Sequence, residues 1–309
     1  MGVNLYELGR MSLEQKFKAG KGRSKHEDKG NNGNLVPHDY IYTYQTLKKY
    51  IWHYRKFCSY LLSRGIKAQT FLEMVIHLQE YIDYMCGLGY SAWTQKLAVS
   101  AIRKATDVYT PVNTHAARRQ DIKRSRKHAN DEYILEKYVQ YPDVVRLCLC
   151  AGPRKEKELA KLRGTDLRKL NGTLYVFIQQ GKNGQKRFAP LVGSAAEIRA
   201  VVKLFKAAGN GLVFQSVPSD LDVHALRAIY ACRVYLTCAR PIDAITNRED
   251  KYYFRRDMRG LIADKTAMRK ASEALGHHRV SVIGAHYMWA LEYVKSTNFR
   301  LLLKAADMG

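Results

Sequence analysis

Apolar residues between Tyr40 and Leu61 recur at alternating steps of four and three positions. Basic residues such as Lys48, Lys49 and Arg55 fall off this stripe. Steps of three and four follow the 3.6-residue turn of an α-helix, so the segment predicts one long amphipathic helix. Its apolar face is expected in a core, and its opposite face is basic.

Two further helices are expected after the long one. Thr70 and Glu73 form a capping box that predicts the start of one, and the pattern over residues 91–105 predicts the other. Together these patterns indicate a small helical domain over residues 35–112. Residues 1–34 are rich in Gly, Lys and Asn, and this composition predicts a basic flexible arm.

The second half of the chain mixes helical and strand patterns. The runs LYVFIQQ and KRFAPLV flank the turn residues GKNGQ, and they predict a β-hairpin with Asn183-Gly184 at its tip. The fold class is therefore mainly α with a small β-sheet (α+β), the second domain spanning 131–309. Its helices are expected through 144–150 and near 195–208, 221–237, 264–275 and 288–304.

The net charge of the chain indicates which kind of partner it binds. The 309-residue chain contains 52 Lys and Arg against 28 Asp and Glu, a net charge of +24. Nucleic acid is the usual polyanion that relieves the self-repulsion of such a chain. Residues 113–130 have no apolar periodicity and predict a basic linker between the domains. Its candidates for binding nucleic-acid phosphates are Arg118, Arg119, Lys123, Arg124 and Arg126.

The sequence lacks the features expected of membrane-spanning, secreted and zinc-binding proteins. No apolar run approaches the roughly 18–20 residues of a membrane-spanning helix, and we expect no membrane association. The first residues have no apolar core of a secretory signal. The six cysteines lack a CxxC spacing, so we expect no metal site and reduced thiols in a cytoplasmic protein.

Five motifs follow one another in the second half of the chain. They are Gly152-Pro153-Arg154, Gly181-Lys182-Asn183-Gly184, His224-Ala225-Leu226-Arg227, Leu275-Gly276-His277 and, ten residues beyond that histidine, Tyr287. In this order they resemble the G-x-R, G-K-G, H-x-x-R, L-G-H and Y motifs of the tyrosine recombinase (phage integrase) family. The resemblance covers residues from about 130 to 300, and the helical domain resembles the family's core-binding domain.

The resemblance implies a fold, a reaction and partners. The expected fold is a SAM-like core-binding domain joined to a catalytic domain, forming a C-shaped clamp around double-stranded DNA. The expected reaction is site-specific recombination through a 3′-phosphotyrosyl intermediate, without a cofactor, in a homotetramer on DNA. The segment LGHHRVSVIGAHY resembles more narrowly the integrases of mobile elements. Integration or excision of such an element, in association with the nucleoid, is therefore expected.

Three of these residues suit the central step of phosphodiester cleavage. A tyrosine phenol such as that of Tyr287 can attack phosphorus, but it is mostly protonated at neutral pH and needs a base or a stabilised oxyanion. The sequence shows no cluster of acidic residues for paired metal ions, so guanidinium groups are expected to neutralise the phosphate. Arg154 and Arg227 are assigned to that clamp because an arginine fork binds phosphate oxygens bidentately.

Proton transfer and phosphate binding require further groups. His224 precedes Arg227 by three residues, hence shares its helical face, and is a candidate base or orienting group. Lys182, on the hairpin, is the candidate general acid for the departing 5′-oxygen. His277 is expected to donate a hydrogen bond to the scissile phosphate.

The position of the acidic residue that follows the first arginine leaves an alternative open. Its commoner family position is three residues after the arginine, whereas Glu158 is four after Arg154. Either a local helix bulge accommodates the extra residue, or Glu156 takes the acidic role.

Other choices concern neighbouring residues. Lys186 competes with Lys182, and His278 competes with His277, which the Gly-His order favours. The run from Arg227 to His277 is long for the family, so an insertion is expected near 236–262.

Two other functions compete with recombination. One is a non-catalytic DNA-binding protein on a recombinase scaffold, although a relic of this kind is expected to have lost some of the catalytic set. The other is a type IB-like topoisomerase that relaxes supercoils without strand exchange.

Overall fold

The computed structural model describes residues 4–23, 25–33, 35, 37–115, 131–181, 186–255, 258–299, 301 and 303. The chain divides into two compact units, Met1–Arg118 and Arg119–Gly309. No helix within these described ranges is long and apolar enough to cross a membrane.

The first unit is built from helices around one hydrophobic core. They are α1 (Leu5–Gly20), α2 (Lys25–Asn31), α3 (Tyr44–Ser63), α4 (Phe71–Val75), α5 (Leu78–Gly87) and α6 (Ala92–Thr106). The expected long amphipathic helix is confirmed as α3, which buries Tyr54 and Phe57 completely. Thr43 caps its first turn by accepting a hydrogen bond from the amide of Thr46.

The prediction of a flexible arm over 1–34 is wrong for the residues that form α1. Leu13 on this helix is fully buried in the core of the first unit. The Nζ atom of Lys16 lies 2.6 Å from the carboxylate of Asp107, beyond the end of α6. α1 is thus held by contacts with residues far along the chain, which local composition does not reveal.

The capping box that opens the second expected helix is confirmed. The amide of Glu73 donates to the Thr70 hydroxyl at 3.2 Å, and the Glu73 carboxylate accepts from the amide of Gln69. The helix is interrupted at Ile76-His77, which separates α4 from α5. The third expected helix is confirmed as α6.

The second unit combines helices with two small antiparallel sheets. Its helices are α7 (Asp131–Gln140), α8 (Pro142–Ala151), α9 (Ala195–Ala208), α10 (Val223–Leu236), α11 (Lys265–Ala274), α12 (Val280–His286) and α13 (Leu291–Lys295). Its strands are β1 (Leu167–Leu170), β2 (Thr173–Ile178), β3 (Arg187–Pro190), β4 (Lys251–Tyr253) and β5 (Ile262–Asp264). α8 and α10 supply much of the core, where Cys148 and Tyr230 are fully buried.

The larger sheet contains the expected hairpin. β2 pairs antiparallel with β3, placing Phe177 opposite Phe188, and β1 adds a third strand on the other side of β2. The proposed hairpin tip, Asn183-Gly184, lies outside the described residues. The strand pairing is confirmed, and the structure adds a strand that the apolar pattern did not indicate.

Most helices expected in the second unit are confirmed, but the last is divided. Ser296 adopts extended backbone after α13. Its hydroxyl accepts a hydrogen bond from the amide of Phe299 and so caps a new helical turn. The predicted helix over 288–304 therefore breaks at this residue. The segment expected as an insertion, 236–262, contains β4 and the start of β5.

Candidate active site

The first motif lies where α8 ends. Gly152 has left-handed backbone with φ 56°. A Cβ at this position would lie 2.2 Å from the ring of Tyr230, so glycine is required for both conformation and space. The carbonyl of Gly152 accepts a hydrogen bond from Nη1 of Arg227. The turn that leads to Arg154 is thereby joined to the third motif.

The turn after Arg154 is wider than an α-helical turn. The amides of Leu159 and Ala160 donate to the carbonyls of Arg154 and Lys155, five residues earlier, at 2.7 and 3.1 Å. This turn accommodates the extra residue and directs Glu158 into the interior, where it is 2% exposed. Glu156 is exposed. The buried acidic residue is therefore Glu158.

Three arginines surround the Glu158 carboxylate. Arg154 Nη1 lies 2.5 Å from Oε1. Arg187 binds both oxygens, with Nη1 at 2.8 Å from Oε1 and Nη2 at 2.6 Å from Oε2. Arg227 Nη1 lies 3.8 Å from Oε2. Three guanidiniums against one carboxylate leave this cluster with two positive charges.

Burial opposes ionisation of Glu158, but hydrogen bonds and charge outweigh it. Desolvation acts to raise the pKa of this carboxyl, whereas Arg187 and Arg154 lower it to about 2. The carboxylate is therefore ionised at neutral pH and anchors the arginines around it.

Arg187 was missed by the sequence analysis. Side chains alternate along β3, so Arg187 and Ala189 face the core and Phe188 is exposed. A charged residue on the inward side of a strand requires a buried partner, and this alternation was the available signal.

The third motif lies on the first turns of α10. Asp222 caps the helix by accepting hydrogen bonds from the amides of His224 and Ala225. His224 is exposed, and Arg227, one turn later, is 2% exposed. Burial, with help from neighbouring arginines, lowers the pKa of Arg227 to about 10, so its guanidinium stays charged at neutral pH.

The two arginines assigned to the phosphate clamp converge on one carbonyl. Nη2 of Arg154 and Nη2 of Arg227 lie 3.4 and 3.3 Å from the oxygen of Leu275. Arg154 comes from the turn after α8 and Arg227 from α10. Leu275 is the first residue of the L-G-H motif, so three motifs meet at this atom.

The L-G-H motif forms a Schellman cap at the end of α11. Gly276 is left-handed with φ 69°, and its amide donates to the carbonyl of Glu273. The amide of His277 donates to the carbonyl of Ser272 at 2.9 Å. This reversal directs His277 away from α11, while His278 is exposed.

Tyr287 lies beside His277 and His224. Its hydroxyl is 2.9 Å from Nε2 of His277, and the tautomer decides which atom donates. Its ring packs edge-on against His224, with centroids 5.1 Å apart. The Cζ atom of Arg227 lies 6.0 Å from the ring centroid. Tyr287 is 4% exposed, so most of its side chain is packed in the interior of the second unit.

The imidazole of His224 is suited to accept a proton. Although part of the His224 side chain is open to solvent, desolvation by the packed part and the positive charge of Arg227 lower the pKa of His224, against the opposing charge of Asp222. A histidine whose pKa is lowered below its ordinary value is neutral at pH 7. One nitrogen of a neutral imidazole ring can accept a proton.

The expected insertion packs against the helix that precedes Tyr287. A Cβ on Gly284 of α12 would lie 2.6 Å from the Tyr252 ring of β4. The small residue at 284 therefore allows the insertion to approach α12 closely.

The structure brings together the predicted residues Arg154, His224, Arg227, His277 and Tyr287. Lys182 lies outside the described residues, as do the linker cations Arg118, Arg119, Lys123, Arg124 and Arg126. Lys186, the alternative to Lys182, is exposed. Over the described ranges, no three His, Cys, Asp or Glu side chains are grouped so that they could hold a metal ion.

Comparisons with known proteins show the fold of the chain. No protein-family model matches the sequence, and no curated protein matches it. A XerH site-specific recombinase bound to palindromic difH substrate, in a post-cleavage complex, matches with a TM-score of 0.50 and 15% identity. The match covers 95% of this chain and 94% of the recombinase. A pre-cleavage complex of XerH with difH substrate gives the same values.

These matches agree with the resemblance of the sequence motifs. The chain has the tyrosine-recombinase fold, mainly α-helical with a small antiparallel sheet. The predicted fold class is confirmed.

Proposed function

We propose that this chain, which has the tyrosine-recombinase fold, is a site-specific DNA recombinase that cuts and rejoins duplex DNA through a covalent bond to Tyr287. The strongest support is the position of Tyr287, whose hydroxyl lies 2.9 Å from Nε2 of His277 and whose ring centroid lies 6.0 Å from Cζ of Arg227. A phenol beside clustered guanidiniums suits attack on a phosphodiester, because the guanidiniums attract the phosphate and stabilise the charge that develops.

In the proposed cleavage step, Oη of Tyr287 forms a bond to phosphorus and the bond to the 5′-oxygen breaks. The phenol proton passes to His224, and the departing 5′-oxygen takes a proton from Lys182. The DNA 3′-phosphate stays linked to Tyr287. A 5′-hydroxyl then attacks this phosphotyrosine in the reverse sense and releases the phenol. Because one phosphate ester replaces another, rejoining needs no ATP.

The proposed phosphate clamp follows from charge. Arg154 and Arg227 bind the non-bridging oxygens, and His277 donates a further hydrogen bond. As phosphoryl transfer proceeds, negative charge on these oxygens increases. The cluster around Glu158, with its two uncompensated positive charges, offsets that charge where it forms.

Partners follow from the same proposal. The substrate is double-stranded DNA, whose phosphates are also bound by the linker cations Arg118, Arg119, Lys123, Arg124 and Arg126. Exchange between two duplexes breaks four strands, and each chain has one Tyr287. We therefore propose a homotetramer on DNA that integrates or excises a mobile element.

The proposal is tested with nicked suicide duplexes made from the DNA on either side of the coding gene. In EDTA and without ATP, the unaltered chain is expected to form a protein–DNA adduct that resists SDS. Tyr287→Phe removes only the nucleophilic oxygen, so it should abolish the adduct and change binding by less than about threefold. An adduct that persists in Tyr287→Phe would refute the assignment of the nucleophile.

The products separate this function from its competitors. Recombinant joints between two duplexes indicate a recombinase, whereas relaxed plasmid without joints indicates a topoisomerase. Tight binding of the flanking DNA with no adduct would indicate a non-catalytic DNA-binding protein.

A further inference from the structure

Arg187 joins three segments of the second unit. Its Nη atoms bind both oxygens of Glu158, at 2.8 and 2.6 Å. Its Nε donates to the carbonyl of Ala274 at 3.0 Å. The side chain is 6% exposed. Through one guanidinium, β3 is therefore tied to the wide turn after Arg154 and to the end of α11.

The carboxylate that Arg187 binds also holds Arg154. Glu158 Oε1 accepts from Nη1 of Arg154, and Oε2 accepts from the Arg154 amide at 2.8 Å. Since both oxygens are shared, the position of the carboxylate sets where Arg154 lies. Arg187 binds this carboxylate with two parallel hydrogen bonds, the geometry that best fixes its orientation.

The other contact of Arg187 supports the turn that presents His277. Ala274 is the last residue of α11, directly before Leu275-Gly276-His277. A Cβ on Gly276 would lie 3.0 Å from Cδ of Arg187, so the turn packs directly on the arginine stem. The carbonyl of Ala274 is occupied by Arg187 Nε, which steadies the same turn.

We propose that Arg187 is a positioning residue for phosphoryl transfer, aligning Arg154 through Glu158 and His277 through the end of α11. This inference rests on the proposed function. Arg187 does not bind the phosphate itself. A merely structural arginine would reduce activity toward every substrate alike, whereas a residue acting through Arg154 changes how the charge of the phosphate is compensated.

The test compares two suicide duplexes at the cleavage position mapped with the unaltered chain. One has an ordinary phosphate, and the other has a methylphosphonate, in which an uncharged methyl group replaces a charged oxygen. Arg187→Gln is expected to slow adduct formation by about 100-fold on the phosphate and less than about tenfold on the methylphosphonate. Arg154→Ala is expected to show the same preference.

Arg233 provides a matched control. It is also a largely buried arginine of the second unit, with Nη2 2.5 Å from Glu197 and Nη1 3.2 Å from the carbonyl of Leu149. Arg233→Gln is expected to affect both duplexes equally. If Arg187→Gln also affects both equally, the inference is overturned. Should Arg187→Gln not fold, Arg187→Lys replaces it, since lysine keeps the charge but loses the bidentate fork, and the same preference is required.

A double variant gives an independent measurement. Because Arg187 is proposed to act in part through Arg154, its effect should be smaller when Arg154 is already alanine, so the chain with Arg154→Ala and Arg187→Gln should lose less cleavage of the phosphate than the product of the two single losses. Losses that multiply in full would overturn the inference. Absence of any adduct from the unaltered chain would instead refute the proposed function, and the inference with it, so the two failures are distinguishable.

Discussion

The hydroxyl of Tyr287 and Nε2 of His277 lie 2.9 Å apart within one chain. The Schellman cap of α11 and the short helix α12 turn the backbone back, so two residues ten positions apart come together. The proposed nucleophile is thus next to the arginine cluster of the chain that contains it. A tyrosine supplied by another chain would have to displace it from this place.

We therefore predict that each chain cleaves with its own tyrosine. In a mixture of Tyr287→Phe and Arg154→Ala chains, no chain has both an intact nucleophile and an intact arginine cluster. The mixture is expected to form no more adduct on a suicide duplex than either variant alone, as measured on SDS gels. Recovery of adduct in the mixture would show that the tyrosine acts in trans. Unaltered chain mixed with Tyr287→Phe, which should still form adduct, is the control.

Glu158 is predicted to make stability depend on acid pH. Its pKa is about 2 in the folded chain, below the ordinary value of 4.5. A carboxyl group whose pKa is lowered on folding contributes its full stabilisation above pH 4.5. This contribution is lost as the pH falls toward 2. The difference in unfolding free energy between the unaltered chain and Glu158→Gln should therefore be largest above pH 4.5. It should shrink by about 3 kcal/mol toward pH 2, measured by urea unfolding.

The neighbouring acid is the control for this measurement. Glu156 is exposed, so Glu156→Gln should change the unfolding free energy by less than about 0.5 kcal/mol at any pH. A difference for Glu158→Gln that stays constant between pH 5 and pH 2 would contradict the buried ion cluster.

We predict that activity requires glycine at position 276 for two reasons, its left-handed backbone and the lack of space for a Cβ beside Arg187. Gly276 and Gly172 both have left-handed backbone, with φ 69° and 80°. Alanine at either position should cost about 1 kcal/mol of stability. A Cβ at 276 also meets Arg187 at 3.0 Å, whereas a Cβ at 172 has no atom within 4 Å. Gly276→Ala should therefore slow adduct formation by about tenfold or more, and Gly172→Ala by less than about twofold. Equal rates for the two variants would contradict this prediction.

Elements whose signals are local were predictable from the sequence. α9 follows a capping box in which Ser194 and Glu197 satisfy each other's amides, and its bounds match the expected 195–208. The hairpin was likewise indicated by a strand-like run on each side of a turn-rich segment. These signals lie within a few residues of the structure they produce, so no distant contact is needed to interpret them.

α1 shows why other elements were not predictable. The composition of residues 1–34 taken together is typical of a mobile segment, yet within α1 Lys16 is paired with Asp107 and Leu13 is fully buried. Helices of this length are marginal in isolation and are stabilised mainly by tertiary packing. The residues that α1 contacts lie far along the chain, so the composition of residues 1–34 does not predict these contacts.

The order of the motifs and their chemistry were determined by the sequence alone, since residue identity sets which groups can attack, neutralise or protonate a phosphate. Tertiary structure decided which of two neighbouring residues lies in the cluster around Tyr287 and Glu158. A wide turn with hydrogen bonds across five residues buries Glu158 and leaves Glu156 exposed. A left-handed glycine turns His277 toward Tyr287 and leaves His278 at the surface. Adjacent residues point in different directions according to backbone dihedrals, and those dihedrals depend on packing that spacing along the chain does not specify.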